Sequence, residues 1–244
     1  MMPKSHPRYT SLKIRDLIVS GIKKGITSIH GLIAHGRGEA FDYLLGEKTN
    51  EFTKKSIEAA SALLLIAKYP VISINGNIAA LVPKELVKLS NLLNAPLEVN
   101  IFHSSKEREL KIRNHLLKYG AKNVLLPDKK CKIKFLESNR KYVNPNGILK
   151  ADVVFVPLED GDRTEALIKN EKKVITIDLN PLSRTAQKAT ITIVDNIVRA
   201  MLLLIKIIKQ YKKYDRNKLR MLIENYNNKQ NLKKSLNYIL QNLP

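Results

Sequence analysis

The 244-residue chain has a single cysteine, no tryptophan and few acidic residues. One thiol, Cys131, excludes an intrachain disulfide and is typical of a reducing cytoplasm. Because 22 Asp and Glu face 43 Lys and Arg, the formal net charge is +21. This charge predicts polyanionic partners, either nucleic acid or phosphorylated metabolites. The excess is spread along the chain without an aromatic stacking platform, a glycine-rich RNA-binding signature or Cys/His zinc spacing, which disfavours nucleic acid.

The sequence also lacks a long apolar run. Residues 1–6 lead into no apolar segment of a secretory signal, so we expect a cytoplasmic protein. The longest apolar patches, Ala59–Ala67 and Met201–Ile208, are too short and too closely flanked by lysine to span a bilayer. With 44% apolar residues the chain is expected to be globular and to have no membrane partner.

Three short β-branched runs are each followed by a polar cluster. The runs are Val153–Val156, Val174–Ile177 and Ile191–Val194, and they predict strands buried on both faces. Strand and helix patterns alternate from residue 83 onward, which predicts βαβ units with right-handed crossovers. We therefore predict an α/β fold with a Rossmann-like parallel sheet flanked by helices. Polar residues just past the strand ends of such a sheet line the ligand crevice, so a nucleotide or phosphate site is expected there.

These patterns predict a single α/β nucleotide-binding catalytic domain over residues 1–206, with a helical N-terminal part over about residues 1–69. A basic helical extension is expected over residues 207–244. Its leucines at helical spacing predict an apolar face that packs on the domain or on a second subunit; they include Leu232, Leu236 and Leu243. Residues 127–150 are mostly polar and predict a long flap. Other expected elements are a helix over Ser11–Lys24 and a strand over Leu97–Phe102.

A dense polar segment runs from residue 31 to residue 49. Glycines on both sides of Arg37 would let the backbone approach a ligand while the guanidinium offers a bidentate donor to phosphate. His35 and Glu39 add a titratable base and a carboxylate. A structural turn would explain the glycines but not the charges between them, so we favour a functional role. The spacing fits neither a dinucleotide fingerprint nor a Walker A loop.

Acidic residues gather after the first of the three runs. Asp160 and Asp162, with Arg163 next to them, could hold magnesium on a polyphosphate or receive an amine. The alternative is a capping box in which Asp162 caps the following helix and Glu165 is its reciprocal partner.

Other strand ends also carry candidate ligand contacts. Asp178 directly follows its strand, where a carboxylate often takes ribose hydroxyls. Arg184 and Thr185 are placed for phosphate oxygens at a helix start. The Asn75–Asn77 turn follows an earlier strand and is either a tight turn or a ligand-facing strand end, whereas nothing in the sequence converges with His103. No Ser-His-Asp triad, metal-binding His pair or Schiff-base lysine is evident, which leaves catalysis by positioning and electrostatics on a phosphate-bearing substrate.

Several of these segments resemble the archaeal phosphopantothenate synthetase family. They cover most of residues 3–200 and are long enough to make chance similarity remote. The resemblance is carried by residues 5–8, 31–49, 75–77, 156–165, 174–186 and 194–196.

Members of that family are 4-phosphopantoate–beta-alanine ligases of coenzyme A biosynthesis, which consume ATP, release AMP and diphosphate, and work as homodimers. The resemblance implies ATP contacts at Arg15, Arg37, Asp178, Leu179, Asn180, Arg184, Thr185, Asn196 and Ile197. We expect an acyl-adenylate intermediate, with Mg²⁺ and arginines offsetting charge on the phosphates.

A base must take the ammonium proton of beta-alanine, and its candidates are His35, Glu39, Asp160 and Asp162. Substrate contacts are expected at Asn75, Asn77 and Arg163, and no metal ligand is assigned. Two other functions remain open from the residues alone: a nicotinamide-dependent oxidoreductase on the same type of sheet, and a basic RNA-binding protein.

Overall fold

The structure is a computed structural model that describes residues 3, 5, 6 and 8–242. Its strands are β1 (Pro70–Ile74), β2 (Leu97–Val99), β3 (Val124–Leu125), β4 (Asp128–Lys132), β5 (Tyr142–Val143), β6 (Val153–Phe155), β7 (Lys173–Ile177) and β8 (Ile191–Ile193). Its helices are α1 (Tyr9–Lys23), α2 (Ile29–Leu44), α3 (Glu51–Ile66), α4 (Gly76–Leu81), α5 (Pro83–Leu93), α6 (Lys106–Lys118), α7 (Gly161–Lys169), α8 (Arg184–Lys188), α9 (Ile197–Tyr211), α10 (Arg216–Glu224) and α11 (Asn228–Gln241).

Six strands form a parallel sheet in the order β3-β2-β1-β6-β7-β8. Ile72 in β1 lies opposite Leu97 in β2 on one side and Phe155 in β6 on the other. The chain therefore builds one half of the sheet outward from β1 and the other half outward from β6. This strand order confirms the predicted Rossmann-like fold, and its topological switch point lies between the carboxyl ends of β1 and β6.

Both faces of the sheet are buried. Alternate strand residues such as Ile72, Phe155 and Ile175 join one hydrophobic cluster, while their neighbours Val71 and Val154 join another. Successive side chains of a strand point to opposite faces, so a strand covered on both sides needs a continuous apolar run. This is why the β-branched runs were sufficient to predict β6, β7 and β8.

Several boundaries differ from the sequence-based expectation. Helix α1 begins at Tyr9, and β2 ends at Val99 rather than at Phe102. Residues 31–44, for which the sequence had predicted a functional segment and no helix, belong to helix α2. The predicted flap contains an antiparallel hairpin of β4 and β5, and its buried residues, including Ile133 and Ile148, join the cluster on one face of the sheet.

The C-terminal residues form two helices rather than one. Helices α10 and α11 pack on α3, and α11 also contacts α8. Leu219 and Leu232 are buried, whereas Leu243 lies outside the described residues. Among the described residues, no helix is both long enough and apolar enough to cross a membrane.

Candidate active site

Helix α2 crosses the carboxyl edge of the sheet. Near its start the Gly31 carbonyl accepts a hydrogen bond from Asn77 Nδ2, just after β1, at 2.8 Å. Further along, a Cβ added at Gly38 would lie 3.7 Å from the side chain of Leu179, after β7. Near its end Asp42 accepts a hydrogen bond from Asn196 Nδ2, after β8, at 3.0 Å. The helix therefore forms a roof over the strand ends.

Tertiary contacts account for a helix in a segment that contains three internal glycines. Ser28 caps its start by accepting a hydrogen bond from the Gly31 N–H. At its other end the buried Asp42 pairs with Arg199 at 2.5 Å, and Arg199 also pairs with Asp195 at 2.6 Å. Because packing routinely overrides intrinsic propensity, these anchors offset the low helix propensity of glycine.

The Glu39 carboxylate is hydrogen-bonded to side chains of α1 and to a tyrosine of its own helix. Its carboxylate accepts hydrogen bonds from Arg15 Nε at 2.9 Å, Ser11 Oγ at 2.5 Å and Tyr43 OH at 2.6 Å. Burial would raise the pKa of Glu39, but these hydrogen bonds lower it to about 2. The structure thus assigns the expected base Glu39 and the expected ATP contact Arg15 to one ion pair that joins α1 to α2.

Among the described residues, the side chains of His35 and Arg37 form no comparable hydrogen bonds or ion pairs. Burial lowers the pKa of the His35 imidazole, so the neutral form that can accept a proton is favoured. Arg37 is exposed and has no hydrogen-bond or carboxylate partner within the described part of the chain. A Cβ at the neighbouring Gly36 would meet no atom within 4 Å. Open space and a free guanidinium therefore adjoin each other on α2.

The switch point itself is held by backbone contacts. Asn75 donates hydrogen bonds to the carbonyls of Pro157 and Leu158, each at 3.0 Å, and its Oδ1 caps α4 by accepting from Ile78 N–H. Leu158 has a φ of +53°, a left-handed conformation that costs an ordinary residue about 1–2 kcal/mol. Thr185 donates a hydrogen bond to the Glu159 carbonyl at 2.7 Å. The expected substrate contacts Asn75 and Asn77 thus both use their amide hydrogens to position backbone.

Beneath this turn lies a buried cluster of charges. Arg163 has 0% of its surface exposed and is bound to Glu159 and to Ser73 Oγ. Arg140 reaches the same Glu159 carboxylate from the flap and also donates to Asp160 at 2.8 Å. Arg163 therefore supports the Glu159 carboxylate in this structure, and its expected contact with substrate stays a prediction.

The acidic residues at the start of α7 differ from the predicted capping box. Helix α7 begins at Gly161 with Asp160 at the N-cap position, and no side-chain capping bond is present there. Glu165 instead pairs with Arg184 and Lys169, whose hydrogen bonds lower the pKa of Glu165 to about 2. Asp162 remains exposed in the first helical turn.

Asp160 has a different environment from Asp162. The Asp160 side chain is 57% exposed, yet partial desolvation and the neighbouring Glu159 carboxylate raise its pKa, while Arg140 opposes the rise. A raised pKa brings a carboxylate closer to the range in which it can exchange protons near neutral pH. Asp160 therefore remains a second candidate for the base, in addition to His35.

The remaining residues expected to contact ATP gather at the ends of β7 and β8. Asp178 accepts hydrogen bonds from Ser183 Oγ and from Asn180 N–H, the latter at 2.9 Å, and burial raises its pKa. Asn196 caps α9, and Ile197 begins that helix. The loop after β7 and the start of α9 thus face the same edge of the sheet that α2 covers.

Sequence reasoning missed two members of the site. Glu159 lies in the turn four residues after the last residue of β6, and this position near a strand end could have identified it. Arg140 comes from the polar flap, where no pattern distinguishes it from the surrounding lysines. Next to the loop after β7, a mainly apolar cavity of about 520 Å³ separates Pro181 and Leu182 from Leu232 and Leu236 of α11. Within the described chain, no group of three or more His, Cys, Asp or Glu side chains is arranged to hold a metal ion.

A doubly wound parallel sheet with polar residues at its carboxyl edge and a helix across that edge places the chain among α/β proteins of the Rossmann-like type. Comparison with known proteins gives the family. The chain belongs to the phosphopantothenate/pantothenate synthetase family, whose sequence model matches residues 52–242.

Curated archaeal relatives match almost the whole chain. It is 53% identical to the 4-phosphopantoate–beta-alanine ligase of Thermococcus onnurineus, over 99% of this chain and 93% of that protein. It is 51% identical to the enzyme of the same name from Thermococcus kodakarensis, with the same coverage. Identity to the Methanosarcina mazei ligase is 48%, over 99% of this chain and 95% of that protein.

Proposed function

We propose that this protein is an ATP-dependent ligase that condenses 4-phosphopantoate with beta-alanine to give 4'-phosphopantothenate, AMP and diphosphate, a step of coenzyme A biosynthesis. The observation that carries the proposal is the convergence of the expected ATP contacts on one edge of the sheet. Residues 178–180 follow β7, Arg184 begins α8, Asn196 precedes α9, and Arg37 lies on the helix that crosses this edge. Identities near 50% to ligases of this name support it.

The first chemical step joins the acid to the nucleotide. A carboxylate oxygen of 4-phosphopantoate attacks the α-phosphorus of ATP, the bond to the β-phosphate oxygen breaks, and diphosphate leaves. Arg37, which pairs with no carboxylate among the described residues, would offset the negative charge that builds on the phosphates. Arg184 would contribute after exchanging Glu165 for a phosphate oxygen. Mg²⁺ would accompany the polyphosphate as a further counter-charge.

The second step forms the amide bond. The amine nitrogen of beta-alanine attacks the acyl carbon of the adenylate, and AMP leaves with the bonding electrons of the acyl–oxygen bond. The ammonium proton passes to a base. Of the candidates, His35 is favoured because burial keeps its imidazole neutral, and Asp160 is the second choice because its pKa is raised. Glu39, with a pKa of about 2, is a weak base.

We also propose that the enzyme works as a cytoplasmic homodimer. The lone Cys131 fits a reducing compartment. Ile29 and Ile33 lie one turn apart on α2 and are 67% and 61% exposed, so α2 offers an apolar strip to a second subunit. Light scattering of the purified protein, and of an Ile33→Glu variant, tests the dimer and this face of it.

Product analysis tests the proposed reaction. The purified protein is supplied with ATP, magnesium, 4-phosphopantoate and beta-alanine, and the products are separated by chromatography and ³¹P NMR. We expect AMP, diphosphate and phosphopantothenate to appear in equal amounts and only with both substrates. ADP and phosphate would retain the ligation but reject the adenylate. Absence of nucleotide turnover would reject the proposed function, and protection by NADP or salt-dependent RNA binding would then favour the alternatives.

The Arg37→Ala variant tests the role of Arg37 in binding ATP. Arg220→Ala on α10, which also loses one positive charge, is the control. Because Arg37 is exposed and makes no hydrogen bond or ion pair within the described residues, its removal should leave the melting temperature nearly unchanged. We expect kcat/KM for ATP to fall by at least about tenfold. Equal kinetics for the two variants would remove Arg37 from the proposed site.

A further inference from the structure

A cluster of nitrogen-rich side chains lies at the carboxyl end of β2, away from the residues expected to bind ATP. His30, in the first turn of α2, stacks on His103, with 4.6 Å between ring centroids and 33° between ring planes. Phe102 packs edge-on against His103 at 5.1 Å. All three residues are exposed. Two imidazoles from segments 73 positions apart in the sequence therefore share one open surface.

Arg108 completes the cluster from helix α6. Its Nε donates to the Ile26 carbonyl and its Nη1 donates to the His103 carbonyl, each at 3.1 Å. These two bonds fix the guanidinium between the α1–α2 turn and the β2–α6 loop. Its Nη2 lies where it would be only 2.8 Å from a Cβ at Gly76, so the group rests against the first residue after the Asn75 cap of α4.

The charge of Arg108 is not neutralised by the protein. Its partners are backbone carbonyls, and among the described residues it forms no ion pair with a carboxylate. The nearest acids of α6 are committed elsewhere, because Glu107 pairs with Lys111 and Glu109 accepts from Ser104. By contrast, Arg15, Arg140, Arg163 and Arg199 all pair with carboxylates. A half-buried, rigidly held and unpaired guanidinium beside two exposed imidazoles matches the donor set that binds a phosphate dianion.

Helix α2 connects this cluster to the expected nucleotide site. His30 and Arg37 are seven residues apart, so about 10 Å of helix separates them at 1.5 Å per residue. The acid substrate in the proposed reaction carries its phosphate at the end remote from its carboxylate. When the carboxylate faces the α-phosphate of ATP, the far phosphate needs a second anion site at a distance of about one substrate length.

We propose that His30, His103 and Arg108 bind the phosphate of the phosphorylated acid substrate. This inference rests on the proposed function, since it assigns one part of that substrate to one end of the crevice. The guanidinium supplies the fixed charge and the imidazoles supply N–H donors. The cluster would make the enzyme select a phosphorylated acid over the same acid with a free hydroxyl.

Kinetics with two acids test the assignment. A His30→Ala/His103→Ala double variant and an Arg108→Gln variant are compared with wild type using 4-phosphopantoate and unphosphorylated pantoate. Arg113→Gln is the matched control, because Arg113 is an exposed arginine on the same helix. We expect KM for 4-phosphopantoate to rise by at least about tenfold in the first two variants, with KM for ATP, beta-alanine and pantoate changed less than twofold.

Calorimetric titration separates this proposal from the proposed function. Binding of 4-phosphopantoate is measured with and without a non-hydrolysable ATP analogue, so the readout needs no turnover. If the wild type bound the phosphorylated acid but made no AMP, the reaction would be rejected and the anion site retained. Equal losses for both acids, a rise in KM for ATP instead, or unchanged binding would overturn the site. If Arg108→Gln does not fold, Arg108→Lys and the histidine variants test the same anion site.

Discussion

His35 and Glu39 lie one helical turn apart on α2, but their surroundings favour opposite protonation behaviour. Arg15, Ser11 and Tyr43 hold the Glu39 carboxylate in its charged form with a pKa of about 2. Burial lowers the pKa of His35. At neutral pH one group is an anion that supports the junction of α1 and α2, and the other is an uncharged acceptor. Two nearby residues of the same helix therefore have different roles: Glu39 supports the structure, and His35 is available for proton transfer.

Replacement of His35 tests its role as the base. Because its pKa is lowered, the wild type should keep its activity as the pH falls toward 6.5 and lose it only below its folded-state value. In His35→Gln we expect kcat to fall by about 10²–10⁴-fold and this acidic limb to disappear. The measurement is a pH profile of kcat and kcat/KM. His115→Gln, outside the crevice on α6, is the control, and an unchanged profile would transfer the role to Asp160.

At the scale of elements, helix α2 combines a weak helical sequence with strong anchors at its ends. Gly36 illustrates the balance, because a Cβ there would meet nothing within 4 Å. In the helix interior, alanine is preferred to glycine by about 0.5–1 kcal/mol. A glycine kept at this cost in stability leaves room beside Arg37 for a ligand.

Gly36→Ala should therefore affect stability and activity in opposite directions. We expect the free energy of unfolding to rise by about 0.5–1 kcal/mol, while KM for ATP increases because the added methyl group occupies the open space. Urea unfolding and steady-state kinetics measure the two effects. Gly38→Ala, whose Cβ would make an ordinary contact with Leu179, serves for comparison. A stabilised variant with normal KM would show that the space is not used.

The flap is fastened to the sheet by a buried carboxylate. Glu98 of β2 is 0% exposed and accepts hydrogen bonds from the backbone N–H groups of Asn144 at 3.0 Å and Ile148 at 2.6 Å. A Cβ at Gly147 would clash with its Oε2, so a larger residue there would displace the Glu98 carboxylate. Asn100 adds hydrogen bonds to the carbonyls of Arg140 and Tyr142, both at 3.1 Å. These contacts hold the flap in the position from which Arg140 reaches the Glu159 carboxylate.

Glu98 should make stability depend on pH. Burial raises its pKa from 4.5 to about 7, although the two N–H donors oppose the rise. Between these values the folded state binds more protons than the unfolded state, so this group's contribution to stability falls as the pH rises from about 4.5 to 7. The loss is up to about 3 kcal/mol.

We expect Glu98→Gln to remove this part of the slope. The measurement is urea unfolding of both proteins at several pH values between 4.5 and 7.5, with Glu85→Gln on α5 as the control. Parallel curves for wild type and Glu98→Gln would show that Glu98 does not titrate in this range.

At the scale of the whole molecule, the C-terminal helices complete the core. Leu232 of α11 joins Leu45, Phe52 and Val194 in one cluster, and Leu219 of α10 packs with Ala62 in another. Basic side chains cover the outer faces of the same helices. The extension therefore stabilises the domain through its apolar side and adds to the net charge through the other.

Two leucines of α11 test whether this helix packs against the rest of the protein. Leu232 is 6% exposed and Leu240 is 67% exposed. Leu232→Ala should lower the free energy of unfolding by about 2–5 kcal/mol, and Leu240→Ala should change it by less than about 0.5 kcal/mol. Urea unfolding followed by circular dichroism should show one transition for both. A separate early transition for α11 would contradict this packing.

The sequence was informative where burial leaves a continuous pattern. Strands β6, β7 and β8 were predicted because both faces are covered and their buried positions are almost all apolar or β-branched. Helix α2 was missed because its stability comes from distant partners such as Asn77 and Arg199. The pairs His30–His103 and Arg140–Glu159 join separate segments of the chain, and no local pattern predicts which residues meet. Residues at strand ends were therefore predictable, while the groups that orient them were not.

One consequence follows from helix α2 being anchored at both ends of the crevice. The helix contacts His103 at its start and Arg199 at its end, so a displacement of the helix would alter both ends of the crevice. An acid substrate held at one end and a nucleotide held near the middle would then each favour the same placement of the helix. Their affinities should be thermodynamically linked, with each ligand strengthening the other by the same factor.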